Sequence, residues 1–153
     1  PNATLALPGE TPPKTVDVAE WTKGRKVAIF GMPGAYTGTC SGPHMPSVIE
    51  SKEALLAKGV DEVAVLVVND PFVTGAWARE TGAEAAGITL LCDLDGAFSK
   101  AIGMDLTVPP LGFFDRSKRY AMVAEDGVVT VLNEEESPGS IEASGGAALL
   151  AAL

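Results

Sequence analysis

The chain has 153 residues, 46% of them hydrophobic, enough for one domain over residues 1–153 to close its own core without disulfides or metal. Eleven basic against 20 acidic residues leave a formal net charge of -9, which argues against a nucleic-acid partner and favours solubility. No run of about eighteen apolar residues suggests a membrane span, and two cysteines with one histidine make neither a disulfide scaffold nor a zinc site of Cys and His alone.

The Pro/Gly-rich stretch 8–13 reads as extended chain or turns. Residues 26–30, Lys-Val-Ala-Ile-Phe, form a short apolar run closed by Gly31, as expected of a buried strand, with a loop over 31–39. Met45, Val48, Ile49, Leu55 and Leu56 then recur at helical spacing up to Lys58-Gly59. Residues 62–68 are almost wholly apolar and β-branched, which suits a central parallel strand. Asp70 suits an N-cap and Pro71 the first helical position, predicting a helix to about Thr81 with Phe72, Val73 and Trp77 for its buried side. Further on, 88–91 reads as a strand, 93–96 as a turn and 97–102 as a short helix. Two strands, 120–124 and 128–132, flank the hairpin signal Glu125-Asp126-Gly127, and 147–153 reads as a last helix. The order β-α-β-α-β-α-β-β-α predicts an α/β fold with a central mixed β-sheet flanked by helices, the arrangement of thioredoxin-like folds.

Cys40 follows a strand and a loop and falls at the start of a helix. A first helical turn presents unpaired N–H groups and partial positive charge, both of which stabilise a thiolate. Pro43 costs nothing in such a turn, while Pro46 should bend the helix. An inert buried cysteine is the alternative on placement alone. Thr37, three residues earlier, can turn its hydroxyl to the sulfur or accept from a bound O–H, or simply form a turn. Pro33 can pack over the sulfur or merely shape the loop.

The stretch 30–41, Phe-Gly-Met-Pro-Gly-Ala-Tyr-Thr-Gly-Thr-Cys-Ser, resembles the active-site loop of peroxiredoxins, with the pattern Pro, three residues, Thr, two residues, Cys. The Pro-Gly-Ala-aromatic-Thr wording, followed by Cys-Ser, His44 and Pro46, is similar to the type II, or peroxiredoxin-five, subgroup. So are 68–73 with Ala76-Trp77, 93–98, and 116–123 with 125–129. The resemblance implies Cys40 as peroxidatic nucleophile, Thr37 and Arg119 as its catalytic partners, and Pro33 and His44 in support. Arg116 ranks second to Arg119, and Arg116 and Lys118 otherwise read as a solvated basic turn. His44, one helical turn past Cys40, is expected to line the peroxide pocket. Leu111, Phe113 and Phe114 read as an apolar entrance favouring alkyl hydroperoxides, as ordinary packing or as a dimer contact.

The implied activity is reduction of hydrogen peroxide and alkyl hydroperoxides, with Cys40 becoming a sulfenic acid and no cofactor or metal required. Some members of the subgroup resolve that acid with a second cysteine. At the matching places this sequence has Ala143 and the apolar run 64–67, so a one-cysteine cycle is expected. Its reductant would be an external thiol, glutathione with glutaredoxin or thioredoxin. Cys92 is the one other candidate for resolution and otherwise reads as a buried small residue. A Cys-x-x-Cys oxidoreductase is disfavoured, since Ser41, Gly42 and Pro43 follow Cys40. A peroxide sensor or chaperone-like redox protein using the same cysteine is the remaining alternative. A homodimer is implied by the resemblance. The expected setting is cytoplasmic, or organellar where a transit peptide has been removed.

Overall fold

The computed structural model describes residues 2–137 and 139–153. Seven strands make one mixed sheet: β1 (Thr4–Leu7), β2 (Lys14–Asp17), β3 (Lys26–Met32), β4 (Glu62–Val67), β5 (Thr89–Cys92), β8 (Tyr120–Glu125) and β9 (Val128–Glu134), in the order β2-β1-β5-β4-β3-β8-β9. A separate two-stranded sheet pairs β6 (Asp105–Val108) with β7 (Phe113–Ser117). The helices are α1 (Val18–Thr22), α2 (Met45–Ala57), α3 (Pro71–Thr81), α4 (Ala97–Ala101) and α5 (Gly146–Ala151). No helix among the described residues is long and apolar enough to cross a membrane.

The central strands β3, β4 and β5 run parallel, and β8 returns antiparallel on β3. Their near-continuous apolar sequences follow from burial on both faces. On one face Phe30, Val65, Leu90 and Val123 pack against Met45, Val48 and Leu55 of α2, Trp77 of α3 and Leu149 of α5. On the other, Ile29, Leu66, Leu91 and Met122 pack with Phe98 of α4 and, at the edge, Val18 and Trp21 of α1. This is the thioredoxin-like α/β arrangement expected from the strand and helix order. Trp77 is fully buried, and truncating such a side chain costs about 3–5 kcal/mol.

Several local expectations hold in detail. Asp70 accepts from the N–H groups of Phe72 and Val73, both at 2.8 Å, with Pro71 in the first turn of α3. Asp126 and Gly127 both take positive φ, 49° and 79°, as a tight two-residue hairpin turn requires. Others are corrected. Phe72 and Val73 are exposed; the buried side of α3 is Pro71, Thr74, Gly75, Trp77 and Ala78. Because Pro71 starts the helix, Phe72 and Val73 fall on the outward side of its first turn. The stretch 8–13 is a loop, as expected, but it joins two strands not expected from the sequence, β1 and β2, a hairpin that adds antiparallel to β5 through Ala6 and Cys92. Strands of four residues around a Pro/Gly loop leave too short a pattern to read. β3 also extends to Met32, because Gly31 and Met32 pair with Leu66 and Val67 of β4.

Candidate active site

The site lies beyond the carboxyl ends of the parallel strands, where the loop 33–39 leaves β3. Asn69, just past β4, accepts from the Ala35 N–H at 2.9 Å and pins this loop to its neighbour. Cys40 opens a π-helical turn, Cys40–His44, that leads directly into α2. The Met45 N–H reaches back five residues to the Cys40 carbonyl. Pro43 and Pro46 lack the N–H groups that would bond the carbonyls of Thr39 and Gly42, so regular α-helical pairing cannot form here. Trp77 of α3 donates from Nε1 to the Ser41 hydroxyl at 2.9 Å, tying the turn to the core.

Cys40 is fully buried, and its sulfur accepts from Arg119 Nη2 at 3.1 Å, across 79 positions of sequence. The first-turn donor next to the sulfur, the Ser41 N–H, is committed to the Thr37 carbonyl at 2.9 Å. Arg119 stands immediately before β8 and is only 4% exposed. Pairing of β8 with β3 brings it to the loop, since Tyr120 lies opposite Gly31. That register needs a glycine: a Cβ at Gly31 would sit 2.1 Å from the Tyr120 ring.

His44 is buried as well and lies against Arg119, outside the lining of the cavity described below. The π-helical turn carries its ring inward, edge-on to Phe30. Its Nδ1 lies 2.8 Å from Arg119 Nη1 and its Nε2 2.9 Å from the Ser144 carbonyl. A guanidinium only donates and a carbonyl only accepts, so the ring is neutral with its proton on Nε2. Burial, and then the Arg119 charge, push its pKa down to about 4, against smaller upward pulls from the Ser144 carbonyl and Glu135.

Pro33, Thr37, Gly38, Thr39, Leu111, Phe113, Arg119 and Gly139 line a cavity of about 380 Å³. Thr37 donates its hydroxyl proton to the Gly34 carbonyl at 2.8 Å, leaving oxygen lone pairs as its only remaining function. Arg116 is not part of a solvated turn: it is half-buried, its Nη1 donates to the Pro33 carbonyl at 3.3 Å, and its guanidinium lies 5.5 Å from the Phe113 ring centroid. A Cβ on Gly34 would meet that guanidinium at 2.7 Å. Lys118 instead pairs with Glu134 at 2.9 Å, half-exposed. Leu111 and Phe114 stand exposed, Leu111 on the cavity rim.

Of the residues singled out in sequence, Pro33, Thr37 and Arg119 line one cavity, and Cys40 is joined to it through Arg119. Sequence reading missed Arg116 as a brace, and Asn69, Ser144 and Glu135 altogether. These act through backbone groups, and nothing in their local sequence advertises it. Cys92 is fully buried at the end of β5; burial raises its pKa, against a smaller downward pull from the nearby Thr74 hydroxyl, and the Asp70 charge adds to the rise. Both cysteines are free thiols.

Comparison with known proteins agrees with this geometry. The redoxin family model matches residues 1–150. The chain is 46% identical over 157 residues to the chloroplastic peroxiredoxin-2E-2 of Oryza sativa subsp. japonica, covering 100% of this chain and 69% of that protein. It is 42% identical over 145 residues to peroxiredoxin-2C of the same organism, covering 95% and 88%. Reduced Prx3 of Vibrio vulnificus in complex with H2O2 superposes with a TM-score of 0.90 at 43% identity, covering 100% of this chain and 95% of that one. Peroxiredoxin 5 of Alvinella pompejana gives a TM-score of 0.84 at 26% identity, covering 99% and 92%. Fold and relatives together define a thioredoxin-like enzyme of the thiol peroxidase class. The chain belongs to the redoxin family and, within it, to the type II peroxiredoxins.

Proposed function

We propose that Cys40 is the nucleophile that reduces hydroperoxides, with Arg119 and Thr37 as its catalytic partners, and that an external thiol regenerates it. The observation that carries this reading is the 3.1 Å hydrogen bond to the Cys40 sulfur from Nη2 of Arg119, a residue that lines the cavity. The guanidinium donates to the sulfur and orients it, and as a permanent cation it needs no proton transfer to act. Peroxide enters between Thr37 and Arg119. The thiolate attacks one peroxide oxygen, an S–O bond forms and the O–O bond breaks. Sulfur is oxidised to the sulfenic acid, and the leaving oxygen departs as water or an alcohol after taking up a proton. Thr37 accepts from the peroxide O–H, since its own proton is held by Gly34. Arg119 stabilises charge on the oxygens as it develops, in a site fixed before the substrate arrives.

Regeneration then follows by attack of a glutathione-, glutaredoxin- or thioredoxin-type thiol on the sulfenic sulfur, releasing water and leaving a mixed disulfide that a second thiol cleaves. Support for a one-cysteine cycle comes from Cys92, whose burial and raised pKa disfavour the thiolate needed for resolution. The homodimer implied by the family is also a proposal. Exposed Leu111 and Phe114 beside the cavity are the apolar surface for it, and sedimentation tests it.

The test is peroxide consumption by wild type and Cys40→Ser with glutathione plus glutaredoxin, with thioredoxin and with a small dithiol. Activity that survives Cys40→Ser overturns the assignment. Oxidation of Cys40 without recycling by any of these reductants favours a peroxide sensor. An intact mass after one equivalent of peroxide should show a sulfenic acid or its trapped adduct; a stoichiometric Cys40–Cys92 disulfide refutes the one-cysteine cycle.

A further inference from the structure

Beyond the cavity, the hydrogen bonds around Arg119 close into a ring that passes through a carboxylate remote from the sulfur. Arg119 Nη1 donates to His44 Nδ1, and His44 Nε2 donates to the Ser144 carbonyl. The segment that offers this carbonyl is held by one oxygen, Glu135 Oε1. It accepts from the Ala143 N–H at 2.6 Å, the Ser144 N–H at 2.8 Å and the Ser144 hydroxyl at 3.0 Å. The Glu135 N–H in turn donates to the Arg119 carbonyl at 2.9 Å, which completes the ring. Partial desolvation opposes it, but the three donors hold the Glu135 carboxyl below its usual range, so it stays charged.

We propose that Glu135 is a positioning residue for the peroxidase reaction: it fixes the Ser144 carbonyl, which sets the His44 tautomer, which in turn orients Arg119 on Cys40. The chain of cause is geometric. If the Ser144 carbonyl moves, the buried Nε2–H loses its acceptor and only the Arg119 donor at Nδ1 still favours that tautomer. The other neutral tautomer would put an N–H against the Arg119 N–H, two donors face to face. Arg119 Nη1 would then have to turn away, and its Nη2 would leave the sulfur with it because the guanidinium is planar and rigid. Three donors on a single carboxylate oxygen exceed what a surface loop needs to close. Their placement accounts for it, since two of them belong to Ser144, whose carbonyl faces His44, and the third to Ala143 just before it. The segment has a second anchor: the Gly146 N–H donates to the Ser47 hydroxyl at 3.2 Å, and a Cβ on Gly146 would lie 2.4 Å from the Ser47 carbonyl. The peptide that carries the carbonyl is held as well by the Gly145 N–H, which donates to the Ile141 carbonyl at 2.8 Å, so Glu135 is the one charged group among the anchors of this segment.

This inference rests on the reading of Cys40 and Arg119 as the reacting pair, and the experiment separates the two. His44 is the only histidine, so 15N-histidine labelling reports its tautomer without assignment. Two readouts are taken on wild type, Glu135→Gln and Ser144→Ala: the imidazole 15N shifts, and the pH profile of the second-order rate at which peroxide oxidises Cys40. Wild type should show a single Nε2–H tautomer. Glu135→Gln keeps the shape and removes the charge; it should show both tautomers in exchange and a rate lowered by about tenfold. Ser144→Ala removes one of the three donors and leaves the carbonyl, so it should shift both readouts the same way by about two- to threefold. A Glu135→Gln protein with wild-type tautomer, or with altered tautomer and a wild-type rate, overturns the proposal. Where Glu135→Gln does not fold, wild-type values in Ser144→Ala do so. Peroxide consumption by Cys40→Ser would instead overturn the underlying assignment.

Discussion

Replacing Arg119 by lysine is the sharpest probe of the site, because it keeps the charge and removes the fork. In the native site two different nitrogens of one guanidinium hold two acceptors, the Cys40 sulfur at 3.1 Å and His44 Nδ1 at 2.8 Å. A lysine ammonium is a point donor on a flexible stem and cannot serve both from one position. Hydrogen bonds to charged groups contribute about 1.5–3 kcal/mol, so loss of the one to the sulfur should slow Cys40 oxidation by about 10- to 150-fold. If the ammonium keeps the sulfur instead, His44 Nδ1 is left buried without a partner, at a cost of about 1–3 kcal/mol in stability. For a chain of this length that is a fall in Tm of about 2–10 °C. Arg119→Lys must therefore lose rate, stability or some of each. Stopped-flow fluorescence reads the rate, since Trp77 bonds Ser41 beside the reacting cysteine. Acid quench and intact mass confirm that the signal is sulfur oxidation, and a thermal melt reads the stability. An Arg119→Lys protein within twofold of wild type in rate and within 1 °C in Tm would refute the bidentate reading.

Three further outcomes follow from the same geometry. His44 is held near a pKa of about 4 in the fold, against 6.5 for a free imidazole. The unfolded chain thus binds a proton the folded one refuses as pH falls from about 6.5 to 4. Folding stability should drop across that window by about 3 kcal/mol, with the direction reversed on raising the pH; urea titrations at pH 7 and pH 4.5 measure it, and equal stability after correction with a His44→Asn control would contradict it. Thr37→Val removes both the bond to the Gly34 carbonyl and the lone pairs that face the cavity, so peroxide kcat/KM should fall by about 10- to 100-fold, whereas Thr37→Ser should retain most of it. Asp70→Ala deletes the α3 cap and should cost about 1 kcal/mol, roughly 3 °C in Tm, while Cys40 oxidation stays within twofold of wild type.

The apolar runs at β3, β4 and β8, the Asp70-Pro71 helix start and the Asp126-Gly127 turn were all legible in sequence, because each rests on a period or a dihedral requirement spanning a few residues. So was the Pro33–Thr37–Cys40 spacing, whose members share one loop. The N-terminal hairpin and the β6–β7 pair were not, since strands of four or five residues around Pro/Gly loops leave too short an alternation to read. Phe72 and Val73 looked like core because they are apolar; the helix phase set by Pro71 turned them outward.

The amino-acid order alone determined that Cys40 would begin a helical segment after a buried strand, and that two prolines would follow it. Only the tertiary structure decided what those prolines do, which is to enforce a π-helical turn that carries His44 behind Arg119. Pairing of β8 with β3 then delivered Arg119 to a sulfur 79 residues away. The roles of Ser144 and Glu135 could emerge only there as well. They act through a carbonyl and a set of N–H donors that every chain possesses, and their effect depends on where the fold points them.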